Sequence, residues 1–133
     1  MERLTSLDRI KCLSFSPWEK VPGLCQGVTV RSRESESDGF FGLLAGELAA
    51  RGFRFTARVR QVHGCRVVPV SASEPDRGAL PEADGLAAAG GSATAFAVTV
   101  ADCVPVFLLD TSSCCRAVLH AGWRGTAAGI LER

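Results

Sequence analysis

The period of the hydrophobic positions changes along the chain. From Asp38 onward, Phe41, Leu44 and Leu48 recur at helical spacing, which predicts an amphipathic helix. Asp38 is placed to cap the amides of its first turn, and Gly52 after Arg51 is a natural stop. Beyond Gly52 the apolar runs are short and separated by turn residues. Val59–Val62 and Arg66–Val70 predict strands around the Gly64 turn, and Ala95–Val100, Val104–Leu109 and Arg116–His120 predict three more. Pro105 cannot donate to a ladder, so the strand that carries it starts at an edge or a bulge. After His120, a Gly-rich turn (Ala121-Gly122-Trp123-Arg124-Gly125) leads to Thr126, where a helix is expected to open and run to Arg133. The first 37 residues carry the weakest pattern. Val28–Val30 is a candidate strand there, and Arg31–Asp38 and Ser71–Pro81 read as polar loops. The expected class is mixed α/β with a sheet-dominated second half.

Composition narrows the partners. A chain of 133 residues with 47% hydrophobic and 22% charged residues is close to one ordinary globular domain, which excludes a disordered tail or a fibre. Net charge is +1 with no basic stripe, so no nucleic-acid partner is expected. The longest apolar runs, such as Val104–Leu109, are far too short to cross a bilayer, so no membrane partner is expected either. The first residues are charged and lack the apolar core of a signal peptide. The six cysteines (Cys12, Cys25, Cys65, Cys103, Cys114 and Cys115) are expected as free thiols in a reducing cytoplasm, since adjacent residues such as Cys114 and Cys115 bridge poorly.

Three segments put a reactive side chain beside glycine or at a strand end: Gln61-Val62-His63-Gly64, Ala101-Asp102-Cys103-Val104-Pro105, and His120 through Thr126. The gaps of 40 and 17 residues, from 63 to 103 to 120, mean that only the fold can bring them together. If they meet, two imidazoles and a thiolate make a three-ligand zinc shell with a fourth position open, able to polarise a substrate oxygen or deprotonate water. The same residues also suit a hydrogen-bonded structural histidine and a buried free cysteine, and spacing leaves both accounts open. Arg124, in a glycine-rich turn before a helix, is a candidate for a phosphate or carboxylate, or for a local ion pair. Trp123 is a stacking surface or a packing anchor, and Asp102 orients a ligand or bonds its own turn. Asp84-Gly85 reads as a turn, and Arg58, Arg60 and Gln61 as one exposed strand face.

Taken together, QVHG, ADG, TVADCVPV and HAGWRGTAAGI resemble, in order and spacing, the family first described as multicopper polyphenol oxidoreductases (laccase-domain proteins) and later reinterpreted as purine nucleoside phosphorylases. The match runs from about Arg58 to Arg133. The resemblance implies a zinc ion on His63, Cys103 and His120, and a layered α/β/β/α sandwich of mixed sheets like that of cysteine-hydrolase-like toxins. It also implies phosphorolysis of adenosine, inosine and methylthioadenosine to free base and ribose 1-phosphate, with adenosine deamination also associated with the family. A multicopper centre is not expected, because the two histidines of this chain cannot supply separate mononuclear and trinuclear copper sites.

The chain departs from the family pattern in two places. Gly27–Arg33 lacks the glycine pair usual near the family's N-terminus, so no role is carried over there. The family is also about twice this length, with a Leu-Gly-Pro loop near the site that does not occur here. The expected organisation is therefore one partial domain over residues 1–133, with 1–57 weakly matched and 58–133 bearing the motifs. The candidate catalytic set is His63, Cys103, His120 and Arg124, acting on a purine nucleoside and phosphate. Two alternatives stand beside it: a hydrolase or deamidase with Cys103 as nucleophile and His120 or His63 as base, and an inactive metal-binding module whose uncovered sheet promotes self-association.

Overall fold

The computed structural model describes residues 2–7, 10–15, 17–18, 20–30, 39–71, 80–91 and 93–133. The chain divides into two compact units, Met1–Phe55 and Thr56–Arg133. The cap expected from Asp38, the loop at Arg31–Asp38 and most of the loop at Ser71–Pro81 fall outside the described residues.

The first unit holds an antiparallel sheet of β1 (Glu2–Leu7), β2 (Ile10–Phe15) and β3 (Val28–Thr29), in that order. Neither β1 nor β2 was expected from the sequence. The signal for β2 is period-two: Ile10, Cys12 and Ser14 are buried while Lys11 and Leu13 face outward. Helix α1 spans Phe40–Ala49 and buries Leu44 and Leu48, as the spacing predicts, together with Glu47, which pairs with Arg51 one turn on. The Gly52 amide donates to Ala49 O and the Phe53 amide to Leu48 O, at 2.9 and 3.0 Å. These two bonds form the glycine-closed end of a Schellman motif. Phe41 stacks on Phe55 at 6.1 Å between ring centroids.

The second unit is built on a four-stranded mixed sheet ordered β5 (Val67–Val70), β6 (Gly85–Ala88), β9 (Arg116–Ala121), β8 (Val104–Leu109). β5 and β6 are parallel, and β6–β9 and β8–β9 are antiparallel. Successive residues of β9 feed opposite faces: Val118 joins Val59, Val68, Ala83 and Leu86, whereas Leu119 joins Ala121 and Ile130. β8 is the edge strand of this sheet among the described residues, the position that Pro105 tolerates. Its hairpin with β9 is closed by Asp110, whose amide donates to Cys115 O. The Asp110 carboxylate takes hydroxyl bonds from Ser113 and Ser112 and the Ser112 amide, which pull its pKa down to about 2. β7 (Thr94–Phe96) follows β4 (Arg54–Ala57) in a two-stranded sheet. The Arg116 guanidinium donates to Thr94 O and Oγ1 and lies 6.0 Å from the Phe96 ring centre.

Four expectations need correction. Val59–Val62 is not a strand. Arg60 makes a single parallel bridge to Glu82, and the amides that follow turn onto a side-chain carboxylate instead of a ladder. The strand expected over Ala95–Val100 stops at Phe96, because the Thr99 amide is taken by the side chain of Gln61. Asp84-Gly85 is not simply a turn, since Gly85 begins β6, in a pocket between Leu119 and Val67. The last helix opens earlier than Thr126: α2 spans Trp123–Ala127 with Gly122 at its N-cap position. Thr126 bonds back to Gly122 O through both its amide and its hydroxyl. Gly129, left-handed at φ 79°, breaks α2 from a closing 3-10 turn at Ile130–Glu132.

Candidate metal centre

The site lies wholly in the second unit. His120, on β9, is 4% exposed. The β8–β9 register sets Pro105 opposite His120 and Val104 opposite Ala121, so Cys103, just before β8, comes alongside Gly122. His63 sits in the loop after Arg60, in a left-handed backbone conformation at φ 58°. Its ring stands edge-on to His120, with centroids 4.8 Å apart and planes at 81°. One ligand atom from each of His63, Cys103 and His120 lies within 4.8 Å of the other two, the one such group among the described residues.

Gly122 lets these side chains approach. A Cβ built there would lie 3.1 Å from Cys103 Sγ, 3.2 Å from His63 Cδ2 and 3.9 Å from His120 Cε1. Gly125 meets the same demand a turn later, where a Cβ would come within 2.5 Å of Gly64 O. Close packing therefore requires Gly125 and favours Gly122, beyond any preference of the turn itself. From the other side, Gln61 fastens the His63 loop to the segment leading to Cys103. Its Nε2 donates to Thr99 O at 2.7 Å, and its Oε1 accepts from the Thr99 amide and hydroxyl at 2.7 and 2.8 Å. Gln61 is thus a clamp rather than a member of a plain exposed face. Arg60 pairs with Glu82 nearby.

Asp84 is the residue that sequence reasoning missed. It is 0% exposed. Its Oδ1 accepts from the His63 amide at 2.9 Å and lies 2.8 Å from His120 Nδ1. Its Oδ2 accepts from the amides of Val62 and Gly64 at 3.2 and 2.7 Å. Burial pushes this carboxyl up, but the bonds from His120 and the three amides outweigh it and hold it below the ordinary carboxylate range. A signal was available: Asp84 is the lone charge in an otherwise small and apolar run from Ala83 to Ala89, and an acid in a core strand needs dedicated partners. The remaining candidates are exposed, Asp102 among them. Arg124 is exposed on α2, its guanidinium 5.2 Å from the ring centre of Trp123, which is itself 76% exposed.

Residues 35–133 match the model of the multi-copper polyphenol oxidoreductase laccase family. The chain belongs to that family. The match begins upstream of the motif-bearing stretch and covers most of the chain. Among curated relatives, a purine nucleoside phosphorylase of Pseudomonas aeruginosa is 42% identical over 72 residues, 54% of this chain and 27% of that protein. An adenosine deaminase from an unknown prokaryotic organism is 36% identical over 79 residues, 55% of this chain and 30% of that protein. The chain thus spans less than a third of the length of either relative. The crystal structure of the Neisseria meningitidis protein NMB0706 superposes with a TM-score of 0.59 at 24% identity, covering 99% of this chain and 54% of that one, which shows a shared mixed α/β fold. No helix among the described residues is long and apolar enough to cross a membrane.

Proposed function

We propose that this chain carries the metal centre of a zinc-dependent purine nucleoside phosphorylase, with His63, Cys103 and His120 holding the ion and Arg124 receiving phosphate. The observation that carries the reading is the gathering of two imidazoles and a thiol within 4.8 Å closely around a glycine. Three such ligands around Zn²⁺ stand roughly 3.3–3.6 Å apart by tetrahedral geometry, so a small inward rotation closes the set. The donor types suit zinc, and a pair of histidines does not make a multicopper cluster.

Zinc held by His63, Cys103 and His120 would supply Lewis acidity to a bound substrate oxygen. The chain's own residues orient and exclude. Asp84 and Gln61 hold the His63 loop, and Gly122 and Gly125 bring α2 close over the site. The substrates in this reading are adenosine, inosine and methylthioadenosine, cleaved by phosphate to purine base and ribose 1-phosphate. Adenosine deamination joins them because one relative bears that name. Residues 1–133 are taken as a portion of a single α/β/β/α sandwich domain, with 58–133 bearing its motifs. Free thiols at Cys25, Cys65, Cys103, Cys114 and Cys115 support a reducing, cytoplasmic setting.

The test incubates the zinc-loaded protein with inosine and phosphate and follows hypoxanthine by chromatography. Phosphate-dependent base release that disappears in His63→Ala is expected. One equivalent of bound zinc without hypoxanthine from inosine, or ammonia from adenosine, rejects the activity. A Cys103 thiol that alkylates rapidly even with zinc present would point to the nucleophile instead.

A further inference from the structure

Asp84 holds both histidines of the site by different routes. It holds His63 through the backbone, taking the amides of Val62, His63 and Gly64 and thereby fixing the left-handed turn at His63. It holds His120 through the ring, and its own carbonyl also accepts the His120 amide at 2.7 Å. Both carboxylate oxygens already accept backbone N–H bonds, so the contact to His120 Nδ1 is satisfied by a proton on that nitrogen. The unprotonated Nε2 is then the nitrogen left to bind an ion.

We infer that Asp84 is a positioning residue: it fixes His120 in the Nδ1–H tautomer, presents Nε2 as the metal-ligating atom, and sets the mutual orientation of the two imidazoles. A carboxylate behind a ligating histidine raises its basicity and locks its ring, and loss of such a partner typically weakens metal binding 10- to 100-fold. The inference rests on the metal reading for its purpose, but the tautomer can be observed without any metal.

The experiment has two arms. In the first, long-range proton–nitrogen correlation spectra of the metal-free, ¹⁵N-labelled chain read the tautomer of each histidine. With only two in the sequence, His63→Gln assigns the remaining one. A proton on Nδ1 of His120 is expected, and a proton on Nε2 overturns the inference whatever the metal affinity. In the second arm, Asp84→Asn keeps the size but replaces one acceptor with a donor. The remaining oxygen serves the Val62 and Gly64 amides, the new NH₂ meets His120 and leaves the His63 amide without its acceptor, and the ring proton moves to Nε2. Zn²⁺ and Co²⁺ affinities, from competition with a chelator, are expected to fall 10- to 100-fold, with a shifted Co²⁺ absorption spectrum. A folded Asp84→Asn chain that binds within twofold of the parent, with an unchanged Co²⁺ spectrum, overturns the inference. If that variant does not melt cooperatively, the tautomer of the parent chain decides alone. A parent chain that binds no metal but shows the Nδ1–H tautomer rejects the proposed function and upholds the role of Asp84 in fixing the ring.

Discussion

Replacing Gly122 by alanine separates packing at the metal centre from stability of the fold. Gly122 has φ −76° and ψ 162°, a conformation that alanine adopts without strain. Alanine at an N-cap position is less favourable than glycine by roughly 0.5–1 kcal/mol, and the reduced freedom of the unfolded chain returns about 0.4–1 kcal/mol. The melting temperature of the metal-free protein should therefore move little. The new methyl group is different at the site. At 3.1 Å from Cys103 Sγ and 3.2 Å from His63 Cδ2, it lies about 0.4 and 0.3 Å inside the roughly 3.5 Å lower limit of carbon contact. Exposed His63 and half-buried Cys103 yield by about those amounts, which exceeds the tolerance of roughly 0.2 Å that a metal allows its ligands. Zinc affinity should fall at least about tenfold, or about 1.4 kcal/mol. Chelator competition reads the affinity, and a thermal melt of the metal-free chain reads the fold. Unchanged affinity with an unchanged melt would show that the three side chains are not the ligand set.

Other outcomes follow from single contacts. Asp110 has its pKa lowered from 3.8 to about 2, so its contribution to stability is complete above the unfolded value and disappears as pH falls toward 2. Melting curves from pH 6 to pH 2 should show the advantage of the parent over Asp110→Asn shrinking below about pH 4, and a pH-independent difference would refute the sign. Gln61→Ala should cost about 1 kcal/mol and speed hydrogen exchange at the Thr99 amide, which it now protects. Ile130→Ala empties a site 1% exposed and should cost about 2–5 kcal/mol by urea unfolding. A smaller loss would mean that the closing turn is not packed on β9.

Much of the second unit is legible in the sequence because its strands obey local rules. Val104–Leu109 is β8 as expected, and Arg116–His120 differs from β9 by one residue. What failed locally was decided by distant partners. The amides of Val62, His63 and Gly64 bond a carboxylate some 20 residues on, and no alternation of side chains reports that. Asp84 was hidden for the converse reason, since Asp-Gly is a strong turn signal and only the parallel pairing of β5 with β6 buries it just before a strand. The helix at the end was displaced toward Trp123 because the packing of Gly122 against the site, rather than a capping hydroxyl at Thr126, sets where it begins. His63, Cys103 and His120 were singled out by their place beside glycines and strand ends, and the structure gathers them. Arg124, chosen on the same ground, is exposed on α2 beside Trp123.

The three gathered side chains come from stretches 40 and 17 residues apart, on a loop, just before β8 and near the end of β9. An ion held by all three is a cross-link that closes both intervals at once, and no partly folded chain offers it the same grip. Metal at a thousandfold excess over its dissociation constant would add about 4 kcal/mol to the stability of the second unit. Depletion of the ion would then change how long the protein survives proteolysis as well as what it can do.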